Sequence, residues 1–417
     1  MIDLCSIDEV KLLTLEDALF IIEKQIQSLK AVEKVSINSA FGRILARSPT
    51  AKSPLPQYRN SAMDGYALAS TDINDKQPFT LKLAGSSWAG RPFKGGIASG
   101  QCIRIFTGAL VPDGLDTVVM QEQVKNENGT IHFPSNIKAY QNVREPGEDI
   151  APGDILIDAP KKLNAADIGL LVSAGIYEVA VTRQLRVAFF STGDELESIG
   201  HPLTPGKIYD SNRYVLKSLL TDECFCSVDM GVIPDDKRLI HDTLVAASEN
   251  HDVIITTGGA SVGEADFIKE VLQDCGQVAF WKLAVKPGKP LAFGTIGQAY
   301  FFGLPGNPVS VIATYQQIVK PALARLTGAP SVKPLQIKAV CLDHLKKSSG
   351  RLEFMCGILS QSGTGEFQVK SAGRQGSHIL STMSRANCYI VLPALGEDVN
   401  IGDTVTVEPF GIELNAQ

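Results

Sequence analysis

The chain lacks the signatures of several large enzyme classes. It has no GxxxxGK[ST] loop and no GxGxxG turn. Their absence counts against conventional nucleoside-triphosphate hydrolases and dinucleotide-dependent dehydrogenases. The six histidines form no His-x-x-x-His pair and the eight cysteines no Cys-x-x-Cys pair, so a zinc site has no ligand spacing to rest on. Cys224-Phe-Cys226 lies in an extended apolar stretch and reads as buried free thiol in a reducing compartment. No apolar run is long enough to span a membrane, and the opening MIDLCSIDEVKLL is acidic where a secretory signal is basic and then apolar. The cytoplasm is the expected location. An excess of positive charge is also missing: 39 basic against 45 acidic side chains leave −6. That balance offers no general attraction for nucleic acid or an anionic membrane, although local basic pockets stay open.

What is present is an ordinary globular composition, 44% hydrophobic and 20% charged over 417 residues, sized for roughly two to four domains. Thr14 and Asp17 open a helix whose apolar positions run Leu15, Ala18, Leu19, Ile22, Ile26 and Leu29. Residues 48–160 are rich in Pro and Gly between short extended runs, which predicts a β-rich region. Asn164 is placed to cap a helix running to Ala174 and ended by Gly175. From there strands and helices alternate: RVAFFST, NRYVLKSLLTDE, CFCSVDMGVIP, a helix from Asp235 and Asp236, DVIITTG, DFIKEVLQDCG, VAFWKLAV, LAFGTI, AYFFGL, and a long apolar helix from Pro308 to about Leu326. This order predicts a mostly parallel α/β sheet, with ligands at the carboxyl ends of its strands. Three loops fall there: STGDE at 191–195, TTGGASVG at 256–263 and LPGNP at 304–308. Residues 331–417 predict a small β barrel or sandwich.

Four constellations carry chemistry. In DVIITTGGASVGEADF an apolar strand runs into a Gly-Gly loop followed by Glu264 and Asp266. Such a loop aims backbone N–H groups at an anion, and an acid beside it can hold a divalent cation against phosphate. The alternative is an ordinary strand-to-helix turn that needs glycine for steric reasons. In VKPGKP, Lys286 and Lys289 flank a tight turn between two apolar strands, an arrangement suited to one shared oxyanion. The competing reading is a solvated turn with surface lysines. In GLPGNPVS, Pro305 and Pro308 stiffen a loop before a helix. Free N–H groups there suit an anion, and Asn307 and Pro308 equally suit a plain cap and first turn. Among acids near glycine, Asp210, Asp235 and Asp236 are explicable as helix starts, whereas Glu195 follows a strand at the expected ligand face. In PQYRNSAMDGYA, Asp64 before Gly65 reads either as a turn aspartate or as a site residue. Thr107 and Asp149 raise the same question.

Together the strings NSAMDGYA, CIRIFTGA, VPDGLDTVVMQE, PGEDI, FFSTGDEL, IYDSNR, TTGGASVGEAD, KPGKP, GLPGNPVS, GRLEF and QGSH resemble the molybdopterin molybdenumtransferase family. These are the molybdenum-insertion enzymes of molybdenum-cofactor synthesis, and gephyrin carries the same module as its E domain. The strings follow the family's order along nearly the whole chain. The resemblance implies a multidomain α/β plus β protein: a connecting domain (14–53 and 148–176), a β-rich domain (54–147), a central α/β molybdopterin-binding domain (177–330) and a C-terminal β domain (331–417). It implies a homodimer whose cleft lies between the central and C-terminal domains of one subunit, with the β-rich domain of the other contributing. The implied reaction takes adenylylated molybdopterin, molybdate and magnesium, releases AMP and inserts molybdenum. The implied catalytic residues are Asp64, Glu195, Asp266, Lys286 and Lys289. Substrate binding falls to Thr107, Asp149, Asp210, Asn212, Gly258, Gly259, Ser261, Gly263, Pro305, Gly306, Asn307 and Pro308. Molybdate would meet Lys286, Lys289, Ser310, Arg351 and Ser377, and Mg2+ would meet Glu195, Asp235 and Asp266. A molybdopterin adenylyltransferase is the implied delivering partner. Two alternatives accompany this reading, a non-catalytic molybdopterin-binding scaffold and a tungstate-preferring version of the enzyme.

Overall fold

A computed structural model describes residues 12–258, 267–330, 332–411 and 413–415. Its centre is a six-stranded sheet in the order Phe225–Ile233, Leu185–Thr192, Val253–Thr257, Ala299–Leu304, Pro290–Ile296, Gly276–Lys282. The first four strands are parallel and the last two alternate antiparallel, so the sheet is mostly parallel, as its strand–helix alternation predicts. Neighbouring residues along a strand face opposite sides. Val187 and Phe189 enter one core with Val253, Ile255 and Phe302, while Ala188 and Phe190 enter a second with Ile254 and Phe301. Both faces are therefore covered, which is why these strands read as continuous apolar runs. The helices Ser211–Leu219 and Pro308–Thr314 cover the first face; Lys237–Asn250 and Phe267–Cys275 cover the second.

Two helices differ from their sequence pattern. The first spans Leu15–Gln25, capped by Thr14 accepting from the Asp17 N–H, and stops before Ile26. Ile26 and Leu29 continue as extended chain, where the Leu29 N–H bonds the Leu326 carbonyl and Arg325 bonds the Ile26 carbonyl. Their apolar side chains keep helical spacing in sequence but are packed by tertiary contacts. The long helix after Pro308 is interrupted: Pro308–Thr314 passes through a π turn, Tyr315–Val319, into Lys320–Thr327. Pro321 has no N–H to donate to the Gln317 carbonyl, and a wider turn accommodates that loss.

Around this centre lie three further sheets of more than two strands, with three two-stranded pairings beside them, among the described residues. A six-stranded sheet, Thr117–Met120, Gly65–Leu68, Gln101–Ile105, Phe79–Ser87, Thr130–Phe133 and Lys125–Glu127, carries a core on each face, Tyr66 and Leu68 on one and Ala67 on the other. A four-stranded sheet joins Val32–Ser36, Glu178–Thr182, Ile44–Leu45 and Lys161–Lys162, so chain from both sides of the β-rich region meets in it. The helix Ala165–Ser173 beside it starts with a reciprocal capping box between Asn164 and Asp167. The C-terminal strands close on themselves: Leu352–Gln361, Phe367–Ser371, Ile337–Cys341, Thr404–Pro409 and Cys388–Leu392 form a cycle, because the first and last also pair. This region is thus a barrel rather than a sandwich. The short strand Val285–Lys286 adds to Leu352–Glu353 in parallel, stitching the lysine turn of the central unit onto the barrel.

The cysteine reading needs one correction. Cys102, Cys224, Cys341, Cys356 and Cys388 are buried free thiols, but Cys226 is exposed. It lies on the outer edge strand of the central sheet, where Cys226, Ser227, Val228 and Asp229 are all exposed. No helix among the described residues is long and apolar enough to cross a membrane.

Candidate functional site at the seam of sheet and barrel

The carboxyl ends of the central strands are drawn together by side chains rather than by loops alone. The buried Ser191 hydroxyl donates to Asp210 at 3.1 Å and meets the Thr257 hydroxyl at 2.9 Å. Asp210 also caps the helix Ser211–Leu219 and holds Arg213. Asn212, on the same helix, donates to the Gly306 carbonyl at 2.7 Å. Gly258 has φ +85, and a Cβ there would lie 2.3 Å from the Thr192 carbonyl oxygen; only glycine lets this strand end approach its neighbour so closely. Gly306 in turn packs against Gly258. This edge also holds three buried polar atoms without a partner, Thr192 Oγ1, Thr256 Oγ1 and Asn212 Oδ1. Buried polar atoms are normally paired, so this edge keeps hydrogen-bonding capacity unused among the described residues.

Beside it lies a cavity of about 320 Å3. One wall is the lysine turn and the 305–310 segment; the other is barrel chain at 351–356 and 375–377. Lys286, Lys289, Pro305, Asn307, Ser310, Arg351 and Ser377 all line it, although they span 92 positions of sequence. Gly288 makes the turn possible: its φ is +108, and a Cβ would lie 2.5 Å from Thr314 Cγ2. The loop carrying Ser377 is set by Gln375, whose amide bonds both the N–H and the carbonyl of Cys356 at 3.0 Å. The Ser377 carbonyl then accepts the Val309 N–H at 3.1 Å. That bond corrects the expectation of free N–H groups at this helix start, since one of them is already used. Asn307 occupies the cap position without a side-chain cap bond and lines the cavity instead, while Pro308 takes the first helical position. Cys356 also lines the cavity, and burial pushes its thiol up to about 11.

Other predicted residues lie elsewhere. Glu195 sits exposed in the turn after Leu185–Thr192, its carboxylate against Gly193. Asp235 does not cap a helix, a role taken by Asp236. Instead the Asp235 N–H donates to Asp194 at 3.2 Å, and the Asp194 N–H returns to the Asp235 carboxylate at 3.4 Å. Burial, with the Asp194 and Glu195 charges adding to it, pushes the Asp235 carboxyl above its ordinary range despite the Asp194 N–H. Among the described residues no three acidic, histidine or cysteine side chains are grouped to hold a metal ion. Asp64 and Thr107, singled out separately in the sequence, are partners: the Thr107 N–H and hydroxyl donate to Asp64 Oδ1 at 2.8 and 2.7 Å. They sit on the β-rich sheet and do not line the cavity. The Asp149 side chain is exposed. Gly259, Ser261, Gly263 and Asp266 lie outside the described residues.

Sequence reasoning passes over three residues, of which only Glu353 lines the cavity. Glu353 lines the wall with 1% exposure, and its only signal is an acid inside the apolar run LEFMC. Lys347, whose side chain is fully buried, reaches the same carboxylate, and nothing in KKSSGR distinguishes it. Asp194 was overlooked beside Glu195.

The fold and the cavity define a three-layer α/β protein with a cavity lined by lysines and an arginine where its sheet meets a closed barrel. Three family descriptions match in series: the MoeA N-terminal region (domain I and II) over 13–175, a probable molybdopterin binding domain over 188–325 and the MoeA C-terminal region (domain IV) over 338–410. A molybdopterin molybdenumtransferase of Haemophilus influenzae is 44% identical over 402 residues, covering 96% of this chain and 99% of that protein. A gephyrin of Dictyostelium discoideum is 34% identical over 436 residues, covering 91% of this chain and 59% of its own length. The crystal structure of a molybdopterin biosynthesis MoeA protein from Pyrococcus horikoshii superposes with a TM-score of 0.81 at 29% identity, covering 96% of this chain and all of that one. The chain belongs to the molybdopterin molybdenumtransferase family.

Proposed function

We propose that this protein inserts molybdenum from molybdate into adenylylated molybdopterin with release of AMP, a step of molybdenum-cofactor biosynthesis. The observation that carries the reading is the cavity: two lysines, an arginine and two serines line one space of about 320 Å3. A tetrahedral dianion offers only acceptors, and these groups supply ammonium, guanidinium and hydroxyl donors in matching number. Lys289 and Arg351 have no ion-pair partner among the described residues, so both are free to meet the anion. The neighbouring edge, with Gly258, Gly306 and the unpaired Thr192, Thr256 and Asn212 atoms, is the proposed berth of the pterin phosphate, completed by Gly259, Ser261 and Gly263. Pro305, Asn307 and Pro308 form the boundary between the two halves, and Asp210 holds the edge together from behind.

A magnesium ion belongs to the same proposal, held by Glu195, Asp235 and Asp266. Burial first, and then the neighbouring Asp194 and Glu195 charges, push the Asp235 carboxyl up, and a divalent cation beside it would offset those charges. An ion carried mostly by pyrophosphate oxygens and water needs only one or two such carboxylates, and it supplies neutralisation of the leaving phosphate's charge. Asp64, Thr107 and Asp149 enter this proposal through a homodimer, since they do not line their own chain's cavity. The fourfold division at 14–53 with 148–176, 54–147, 177–330 and 331–417 is supported by the separate sheets. The pairing of Glu178–Thr182 with Val32–Ser36 draws that strand toward the connecting unit. A cytoplasmic location and delivery of substrate by a molybdopterin adenylyltransferase complete the proposal.

The test is turnover of adenylylated molybdopterin with molybdate and magnesium, read as AMP release and molybdenum retained on the pterin. The enzyme reading expects both, and loss of the molybdenum product in K286A/K289A. Binding without AMP release in the native protein would favour the scaffold alternative. A higher yield with tungstate than with molybdate would favour the tungstate-preferring variant.

A further inference from the structure

We propose that Glu353 is a positioning residue of the oxyanion cavity, pinning the Lys286 ammonium at the wall, and that the buried Lys347 holds Glu353 in place from behind. The inference rests on the reading of Lys286 as an oxyanion ligand.

A carboxylate in a cavity lined by donors is out of place on electrostatic grounds, since its charge opposes the anion the other groups attract. Burial makes it costlier still: Glu353 is 1% exposed, and a buried acid is tolerated only when it is paired. Its surroundings supply the pairing. The strands Val285–Lys286 and Leu352–Glu353 run parallel with Lys286 opposite Glu353, fixed by the Leu352 N–H on the Ala284 carbonyl at 2.9 Å. Lys286 Nζ donates to Glu353 Oε2 at 3.2 Å. The other oxygen, Oε1, has no hydrogen bond but lies 3.5 Å from Lys347 Nζ. That ammonium is in turn anchored on the carbonyls of Ser348 and Arg351 at 2.6 and 2.8 Å. The chain Lys347–Glu353–Lys286 therefore runs from the loop before the strand Leu352–Gln361 to the central unit's lysine turn. Lysine is a flexible stem with three donors. One donor spent on Glu353 leaves two for an anion and removes the freedom that binding would otherwise have to remove. Lys289, by contrast, is exposed and has no ion-pair partner among the described residues.

Two physical effects of Glu353→Gln oppose each other, and this makes the proposal decidable. Removing a negative charge strengthens attraction for an anion; releasing Lys286 weakens it. Molybdate titrated calorimetrically into the full-length protein is the measurement, on the native chain, K286A, E353Q, E353D and K286A/E353Q, each checked for its folded circular dichroism. Positioning expects E353Q to bind more weakly by on the order of tenfold, the scale of ordering one long side chain. E353D, which keeps the charge but withdraws it by one methylene, should weaken in the same direction. In the K286A background the weakening by E353Q should vanish, leaving equal or tighter binding from the lost negative charge, because the weakening acts only through the Lys286 contact. Equal or tighter binding by both E353Q and E353D, or an undiminished E353Q effect without Lys286, would overturn the positioning role while leaving Lys286 as a ligand. Native affinity in K286A would remove Lys286 from the oxyanion site and the proposal with it.

Discussion

Asn212 Nδ2 lies 2.7 Å from the Gly306 carbonyl oxygen, and its own Oδ1 is buried without a partner. One side chain thus ties the helix Ser211–Leu219 to the loop between Ala299–Leu304 and the next helix, while keeping an acceptor in reserve at the strand ends. Asn212→Ala removes the tie and strands the Gly306 carbonyl. Losing a buried hydrogen bond costs about 1–2 kcal/mol, and the loop against Gly258 loosens. Urea unfolding should show a lower midpoint, and the KM for adenylylated molybdopterin should rise more than kcat falls. A native KM would confine Asn212 to a structural role.

Gly288 makes the sharpest steric demand on the cavity. At φ +108, with Thr314 Cγ2 placed 2.5 Å from a new Cβ, Gly288→Ala meets both backbone strain and a clash, costing about 1–3 kcal/mol. The turn must then shift, carrying Lys286 and Lys289 with it. Molybdate affinity should drop along with stability. Replacing Thr314 by Ser removes the clashing methyl and keeps the hydroxyl that bonds the Ser310 carbonyl at 2.7 Å. G288A/T314S should therefore recover part of the loss, leaving the share due to φ. No recovery would mean that the backbone conformation alone sets the requirement.

These residues also show what could be read ahead of the structure. The capping box of Asn164 and Asp167 and the alternating strands and helices are local patterns, and they appear where the sequence puts them. Lys286, Lys289, Ser310, Arg351 and Ser377 were legible because the family resemblance links distant strings, and the fold brings all five to one cavity. Glu353 was not legible: in LEFMC it is one acid in a strand, and only the closed barrel and the added strand Val285–Lys286 put a lysine opposite it. Ile26 and Leu29 misled for the converse reason, since helical spacing of apolar residues also fits an extended segment packed by the helix Lys320–Thr327.

Asp64 and Thr107 offer a titration that the cavity does not. The Thr107 backbone N–H, and then its hydroxyl, favour the ionised carboxylate and hold the Asp64 carboxyl below its ordinary range. Thr107→Ala removes only the hydroxyl, so the Asp64 pKa should rise toward its ordinary value without reaching it, because the backbone donor stays. Carboxyl carbon chemical shifts followed through acid pH measure this directly. If Asp64 must be ionised in turnover, the acid limb of the pH–rate profile moves up with it. An unmoved limb with a moved pKa would separate Asp64 from the rate.

Asp252 governs acid stability. It sits between two arginines: Arg183 binds both its oxygens at 2.7 Å, and the Arg186 N–H adds a bond at 2.8 Å. Burial alone would raise its carboxyl pKa, but these donors outweigh burial and hold it down at about 2. Unfolded, an aspartate titrates near about 4. The group's folded pKa is the lower one, so its stabilisation is complete above pH 4 and is lost as pH falls from about 4 to about 2. Thermal unfolding followed by circular dichroism should show the melting midpoint falling through that window. Asp252→Asn should melt lower at neutral pH, because an amide cannot accept from both guanidinium nitrogens and the Arg186 N–H as an anion does. Its midpoint should also fall less between pH 4 and pH 2, since the titrating group is gone. Parallel curves for the two proteins across that window would show that other carboxylates set the acid limit.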